Sequence, residues 1–227
     1  MFVRIKICCI SSEHEAACAI AAGASALGLV SAMPSGPGVI DEARIAEIVA
    51  TVPRGIDTFL LTSARDVDTI VAQHRRCRTT TIQLVNHVSG DVHAELRSRL
   101  PDVTLVQVVH VQDLQSVAYA QSIAPAVDAL LLDSGQPNAS IQTLGGTGRV
   151  HDWTLSRRIV DHVAIPVYLA GGLNAHNVSD AITTVRPFGV DLCSGVRTDG
   201  ALDPDKLHAF VHAVVTQEAG VMMHTPP

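Results

Sequence analysis

Short apolar runs alternate with longer stretches of mixed apolar and polar residues along the whole chain. The runs are rich in Val, Ile, Leu and Ala, which is typical of parallel strands buried on both faces. The predicted strands are Val3–Cys8, Ala26–Ser31, Thr58–Leu61, Thr81–Leu84, Leu105–His110, Ala129–Leu132, Val167–Ala170 and Gly189–Cys193.

The stretches between these strands are predicted to be amphipathic helices. Several begin with Asp or Asn, whose side chains cap the free N–H groups of a helix start. The predicted helices are Glu13–Ala22, Asp41–Thr51, Asp66–Arg75, Asp91–Leu100, Asp113–Ala124, Thr154–His162, Asn177–Val185 and Asp203–Gln217.

Eight successive strand–helix units, each about 25 to 30 residues long, predict a single (β/α)8 TIM barrel. The barrel is expected to span residues 1–217, and residues 218–227 are expected to form a flexible tail. The alternative is an open, doubly wound sheet, whose dinucleotide-binding version needs a glycine-rich turn after the first strand. Cys9-Ile10-Ser11-Ser12 stands there and contains no glycine, which favours the barrel.

The first strand indicates how the barrel is oriented. Side chains alternate along a strand, so Arg4, Lys6 and Cys8 share one face, and Val3, Ile5, Ile7 and Cys9 share the other. The apolar face is expected to pack against the helices. Cys8 should then point to the mouth of the barrel, whereas Cys9 is expected to be core packing.

Composition and charge narrow the classes of function. The net charge is −6 with no basic block, so a nucleic-acid partner is not expected. No apolar run approaches the ~20 residues that span a bilayer, and Arg4 and Lys6 interrupt the start of any signal peptide. The five cysteines lack the spacing of a zinc site or a disulfide framework. These features predict a cytoplasmic protein with no metal and no membrane partner; they leave its oligomeric state open.

Glycine clusters follow the late predicted strands. Gly171 and Gly172 come directly after the seventh strand, Ser194 and Gly195 come directly after the eighth, and residues 145–148 add Gly-Gly-Thr-Gly after the sixth. Barrels often bind phosphate with the loops after strands seven and eight, because free N–H groups attract an anion and glycine leaves room for it. The alternative is that these glycines only form turns.

Two residues at the predicted mouth carry acid–base chemistry. Asp133 ends the sixth apolar run, where partial burial would raise its pKa enough for general acid catalysis. Cys8 ends the first strand, and a thiolate is a competent base when its surroundings lower its pKa from about 8.5. The alternatives are a capping aspartate and an inert buried thiol.

The ordered series of motifs resembles the phosphoribosylanthranilate isomerase family. The resemblance runs from about residue 3 to residue 215 and rests on motifs that are weak singly but specific in this order. They are Lys6-Ile7-Cys8, Gly28-Leu29-Val30, Gln83-Leu84, Leu131-Leu132-Asp133-Ser134, Gly145-Gly146-Thr147-Gly148 with Asp152-Trp153, Leu169-Ala170-Gly171-Gly172-Leu173 with Asn177-Val178, and Ser194-Gly195-Val196 with Asp199-Gly200.

This resemblance implies an Amadori rearrangement of an aminated ribose 5-phosphate, a tryptophan-pathway step that uses no cofactor and no metal. It implies that Cys8 is the general base at C2′ and that Asp133 is the general acid at the ring oxygen. Backbone N–H groups of the late glycine clusters would hold the phosphate of this small-molecule sugar phosphate. The expected phosphate-binding residues are Gly171, Gly172, Ser194 and Gly195, and the expected substrate-lining residues are Gln83, Asn86, His110, Gly146 and Arg197.

The chain departs from the family pattern at the end that recognises the aromatic acid. Gly38 stands where the family has an arginine that grips the anthranilate carboxylate, and Cys9 stands where a glycine is common. After strand four the usual His-Gly is Val85-Asn86, and Arg197 replaces a glutamate. Losing a bidentate arginine would remove a few kcal/mol of binding.

Three hypotheses accommodate these departures. Arg197 or Arg149 reaches the carboxylate from another wall, or the barrel acts on another phosphorylated sugar with His110 and Asn86 in an altered pocket. His110 has the alternative role of a strand-end residue bonded to a loop. The third hypothesis is a protein that binds a sugar phosphate without turning it over, against which the presence of both Cys8 and Asp133 argues.

Overall fold

A computed structural model describes residues 3–135 and 151–223, with side chains described to residue 217. Eight parallel strands pair in sequence order, and the last pairs with the first, so the sheet is a closed barrel. The strands are β1 Arg4–Ile7, β2 Ala26–Val30, β3 Asp57–Thr62, β4 Thr81–Leu84, β5 Thr104–His110, β6 Ala129–Asp133, β7 Val167–Leu169 and β8 Gly189–Leu192. The predicted (β/α)8 fold is confirmed.

In the described parts of the chain, eight α-helices surround the barrel, one after each of its strands. They are α1 Glu13–Ala22, α2 Glu42–Thr51, α3 Val67–Cys77, α4 Gly90–Arg99, α5 Leu114–Ile123, α6 Trp153–His162, α7 Val178–Val185 and α8 Pro204–Met223. The capping signals in the sequence are used, because Asp41, Asp66 and Asp113 each accept a hydrogen bond from an N–H in the first turn. The last helix continues six residues beyond its predicted end at Gln217; the flexibility of residues 218–227 stays a prediction.

Two short elements between β8 and α8 were not predicted. A single 3₁₀ turn covers Ser194–Val196, and the strands β9 Arg197–Thr198 and β10 Ala201–Leu202 form a small antiparallel hairpin. Such two-residue strands have no hydrophobic alternation, so no sequence signal marks them.

Alternation along each strand separates two apolar layers. Ile5 and Ile7 of β1 belong to the layer between the sheet and the helices, whereas Cys8 belongs to the layer inside the barrel. The interior below the mouth also contains three aromatic rings: Tyr168 makes edge-to-face contacts with Phe59 at 5.8 Å and with Phe188 at 5.4 Å. These three aromatic side chains therefore pack inside a core that is otherwise mostly aliphatic.

Candidate active site

A cavity of about 710 Å³ opens at the carboxyl ends of the strands. TIM barrels place their chemistry at this face, because the strand ends and the following loops converge there. The polar side chains and glycines that line it are Cys8, Cys9, Ser35, Gly36, Gln83, Asp133, Gly171, Gly172, Asp191, Cys193 and Ser194. Both predicted catalytic residues and three of the four predicted phosphate-binding residues therefore border one space.

Cys8 is held at the mouth by the closure of the barrel. Its N–H donates to the carbonyl of Leu192 at 2.8 Å, which extends the pairing of β1 with β8 by one residue. The neighbouring strand has Gly28, where an added Cβ would lie 2.8 Å from Cys8 Sγ and 3.1 Å from Lys6 Nζ. The glycine therefore leaves the room that the thiol and the ammonium group occupy side by side.

Asp133 ends β6 and is buried. Burial raises its pKa from 3.8 to about 6; the nearby Asp191 carboxylate acts in the same direction, while the Ser134 N–H and Lys6 oppose it. That N–H donates to Asp133 Oδ1 at 2.7 Å. A carboxyl group with a pKa near 6 is protonated often enough near neutrality to deliver a proton.

Lys6 and Asp191 form a buried ion pair on the cavity floor that sequence reasoning did not assign to the site. Lys6 Nζ donates to Asp191 Oδ1 at 2.9 Å, and the lysine side chain is completely buried. Burial alone would lower the pKa of Lys6. The negative charges of the Asp191 carboxylate and the Cys8 thiolate together raise this pKa by more than burial lowers it, so the net shift is upward. The sequence does contain a signal for this position, because the alternation along the first strand already predicts that the Lys6 side chain points into the barrel.

The loop after β7 contains two glycines with left-handed backbone conformations. Gly171 and Gly172 have φ angles of +85° and +66°, which favour glycine. An added Cβ at Gly171 would lie 3.0 Å from Ser134 Oγ. Neither glycine N–H has a backbone acceptor among the described residues, so both are free to face an anion.

Gly195 does not line the cavity but fits against the same loop. An added Cβ there would lie 2.1 Å from the carbonyl oxygen of Leu173. Its neighbour Ser194 lines the cavity at the start of the 3₁₀ turn. Gly195 therefore lets the loops after β7 and β8 approach each other.

Of the predicted substrate-lining residues, Gln83 borders the cavity, whereas Asn86 and His110 do not. Gln83 Oε1 is buried without a hydrogen-bond partner among the described residues. Asn86 Nδ2 donates to the Ser63 carbonyl at 2.6 Å, and His110 Nε2 donates to the Val85 carbonyl at 3.1 Å. Both side chains tie neighbouring strand ends together, as the strand-end alternative for His110 supposes. Gly146 and Arg149 lie outside the described residues.

The structure places Arg197 outside the cavity lining, contrary to the prediction that it lines the pocket. Its guanidinium group pairs with the Glu15 carboxylate at 2.9 Å and donates to the carbonyls of Cys8 and Cys9. Glu15 also accepts from the N–H groups of Ser11 and Leu202. Arg197 is therefore a support beneath the end of β1, because both terminal nitrogens of its guanidinium group already donate hydrogen bonds there.

Cys9 packs in the buried core, as predicted, but it does so inside the barrel, where it borders the cavity, and not against the helices. Its φ angle is +63°, so the chain turns sharply and breaks the alternation that would have directed it outward. Hydrogen bonding with Cys193 and Cys8, together with burial, raises the pKa of Cys9 above its ordinary value. No pattern in a single sequence indicates that a cysteine has a positive φ angle.

The described residues contain no group of three or more His, Cys, Asp and Glu side chains arranged to hold a metal ion. Over the same part of the chain, no helix has the length and apolarity needed to cross a membrane.

Comparison with known proteins gives concordant results. Residues 5–213 match the family model described as N-(5'phosphoribosyl)anthranilate (PRA) isomerase. A Haloferax volcanii protein named N-(5'-phosphoribosyl)anthranilate isomerase is 38% identical over 223 residues, 97% of each chain. The solved structure of phosphoribosyl anthranilate isomerase from Thermotoga maritima matches this chain with a TM-score of 0.81 and a sequence identity of 26%. The match covers 95% of this chain and 100% of the other. TrpF from Jonesia denitrificans is 31% identical with a TM-score of 0.76, covering 95% and 98%.

Proposed function

Because the chain belongs to the N-(5′-phosphoribosyl)anthranilate isomerase family, we propose that it isomerises a phosphorylated N-substituted ribosylamine in tryptophan biosynthesis. The observation that carries this function is that Cys8 and Asp133 border one cavity with Gly171 and Gly172. An acid and a base on different strands suit a reaction that needs one proton delivered and another removed.

The first half of the reaction belongs to Asp133. Its protonated carboxyl group gives a proton to the ring oxygen of the ribose; the bond from C1′ to that oxygen breaks, and the nitrogen lone pair forms an iminium ion. The buried position of Asp133 makes the charged carboxylate costly and thereby favours the protonated acid at the start.

The second half belongs to Cys8. Its thiolate removes the proton from C2′, and the electron pair of that C–H bond neutralises the iminium ion to give an enolamine. The enolamine then becomes the amino-ketose when C1′ gains a proton and the 2′-hydroxyl loses one. The Lys6 ammonium group lies beside Cys8 in the room that Gly28 leaves.

The glycine loops hold the other end of the substrate. Backbone N–H groups of Gly171, Gly172, Ser194 and Gly195 are the proposed phosphate-binding groups, and Gln83 is the proposed polar contact on the opposite side. Binding energy from a phosphate that does not react is available to align C1′ and C2′ between the acid and the base.

The test is turnover of phosphoribosylanthranilate, followed by the loss of its fluorescence. Cys8→Ser and Asp133→Asn should each lower kcat by about 10²–10⁴-fold or more. Cys18→Ser and Asp161→Asn are matched controls, because Cys18 lies on α1 away from the cavity and Asp161 pairs with Arg157 on the surface of α6. Full activity in Cys8→Ser would refute the proposed base.

A further inference from the structure

The cavity has two opposite walls of different character. Strands follow one another around the barrel in order, so the ends of β7 and β8 face those of β3 and β4. With the phosphate at Gly171 and Gly172, and the reacting carbons between Cys8 and Asp133, the N-substituent extends toward β2–β4. This N-substituent wall is lined by Val30, Met33, Ser35, Gly36, Pro37, Leu61, Gln83, Val85 and Val108, together with Cys9.

The N-substituent wall is mostly apolar, and its polar groups are all neutral: the Ser35 hydroxyl, the Gln83 amide and the Cys9 thiol. Among the described residues, the charged side chains that line the cavity are Asp133 and Asp191, and both are carboxylates. Asp191 is already paired with Lys6. An uncharged ring therefore finds apolar contacts on this wall, whereas an anionic substituent approaches carboxylates and a neutral amide.

Cys9 and Gly38 interlock at one edge of this wall. A Cβ added at Gly38 would lie 2.4 Å from Cys9 Cβ and 2.9 Å from Cys9 Cα. Gly38 also has a φ angle of +75°, and the Cys9 thiol donates to the carbonyl of Pro37 at 3.5 Å. The contact involves backbone and a first side-chain carbon, so a side chain at position 38 cannot be accommodated while Cys9 keeps its position.

The backbone of Cys9 is itself fixed. Arg197 donates to the carbonyls of Cys8 and Cys9 and is held in turn by Glu15. On the other side, the Ile40 N–H donates to the Val30 carbonyl at 3.0 Å, which anchors the loop that contains Gly38. Neither partner is free to move away from the other.

We propose that Cys9 and Gly38 are a coupled pair of specificity-determining residues that keep a charged side chain out of the N-substituent wall. The substituent is then recognised by apolar contact, and the substrate class includes N-aryl ribosylamine 5-phosphates that carry no carboxylate. This inference rests on the proposed function, since it concerns the same isomerisation and the same acid and base.

The decisive experiment compares two substrates that differ only in charge. Anthranilate and anthranilamide are each condensed with ribose 5-phosphate, and conversion to the amino-ketose is followed by ³¹P NMR. The wild-type protein should convert the carboxamide with a kcat/KM within tenfold of that for the carboxylate. A preference for the carboxylate above 100-fold would overturn the inference while leaving the isomerase function standing. Failure to convert either compound would overturn both.

Variants of Cys9 and Gly38 give a second measurement. Gly38→Arg alone should lose most activity toward both substrates, because the new Cβ meets Cys9. The double variant Cys9→Gly with Gly38→Arg should recover activity and shift the carboxylate-to-carboxamide ratio of kcat/KM at least tenfold toward the carboxylate. Gly90→Arg is the control, because it adds the same charge at a helical position where an added Cβ meets nothing within 4 Å, and it should leave that ratio unchanged.

Two results of this series contradict the coupling. One is a Gly38→Arg variant that keeps the wild-type melting temperature and activity, which would show that the two positions do not exclude each other. The other is a folded, active double variant with an unchanged ratio, which would show that the wall does not contact the substituent. If the double variant does not fold, the substrate comparison on the wild-type protein still decides.

Discussion

Lys6 Nζ lies 2.9 Å from Asp191 Oδ1 in the completely buried floor of the cavity. The pair joins the first and last strands of the barrel, whose register places these two residues side by side. Breaking a buried pair leaves one charge without a partner and typically costs about 3–5 kcal/mol. The floor of the site and the closure of the barrel therefore depend on the same contact.

Lys6→Met should lower the free energy of unfolding by about 3–5 kcal/mol. Urea denaturation followed by circular dichroism provides the measurement. The double variant Lys6→Met with Asp191→Leu should be less destabilised than Lys6→Met alone, because no unpaired charge remains buried. A double variant whose loss equals the sum of the single losses would show that the two side chains do not interact.

Asp133→Asn should stabilise the protein at neutral pH while it abolishes turnover. The raised pKa means that the folded state binds a proton more tightly than the unfolded state, so the ionised carboxyl costs stability above pH 6. A shift from 3.8 to about 6 corresponds to at most about 3 kcal/mol. The gain should develop between about pH 4 and pH 6 and vanish below pH 4. An equal gain at pH 3.5 would assign it to another cause.

The rate should depend on pH through the same carboxyl group. General acid catalysis needs protonated Asp133, so kcat/KM should fall about tenfold per pH unit above about pH 6. The phosphate of the substrate also titrates near pH 6, and its pKa measured by ³¹P NMR serves as the control. An infrared carboxyl band that disappears on the same curve, and is missing in Asp133→Asn, would assign the titration. A band that titrates near 3.8 would contradict it.

Arg197→Lys should lower kcat more than it raises KM. The planar guanidinium reaches Glu15 and the carbonyls of Cys8 and Cys9 together, which a single ammonium group cannot reproduce. A displaced Cys8 is expected to cost about 10- to 100-fold in kcat. Arg157→Lys, whose ion pair with Asp161 is exposed on one helix, is the control and should leave kcat unchanged. Equal behaviour of the two variants would exclude a positioning role.

Gly195→Ala should weaken phosphate binding and stability together. Its new Cβ would meet the Leu173 carbonyl and push the loops after β7 and β8 apart, at a cost of about 1–3 kcal/mol. The inhibition constant of inorganic phosphate should rise together with KM. Gly90→Ala is the control, because an added Cβ at that helical position meets nothing within 4 Å. Unchanged inhibition by phosphate would place the anion elsewhere.

Periodicity predicts the barrel because every strand and every helix carries the same repeated signal. Strand parity alone directs Lys6 and Cys8 inward, and the position of Asp133 at a strand end brings it to the mouth. Sequence patterns do not report φ angles, so they do not show that the positive φ angle of Cys9 directs its side chain toward the cavity. They do not report pairing between distant residues either. Arg197 pairs with Glu15, which lies 182 positions earlier in the chain. For this reason Arg197, which the sequence places in the pocket, lies beneath the pocket instead.

The pairing of β1 with β8 also has a consequence for biosynthesis. The strand that carries the base is synthesised long before β8, the strand that completes its surroundings. Until β8 is added, Lys6 lacks the Asp191 carboxylate and the Cys8 N–H lacks the Leu192 carbonyl. A truncated chain that lacks β8 thus retains the Cys8 thiol but not the strand that positions it.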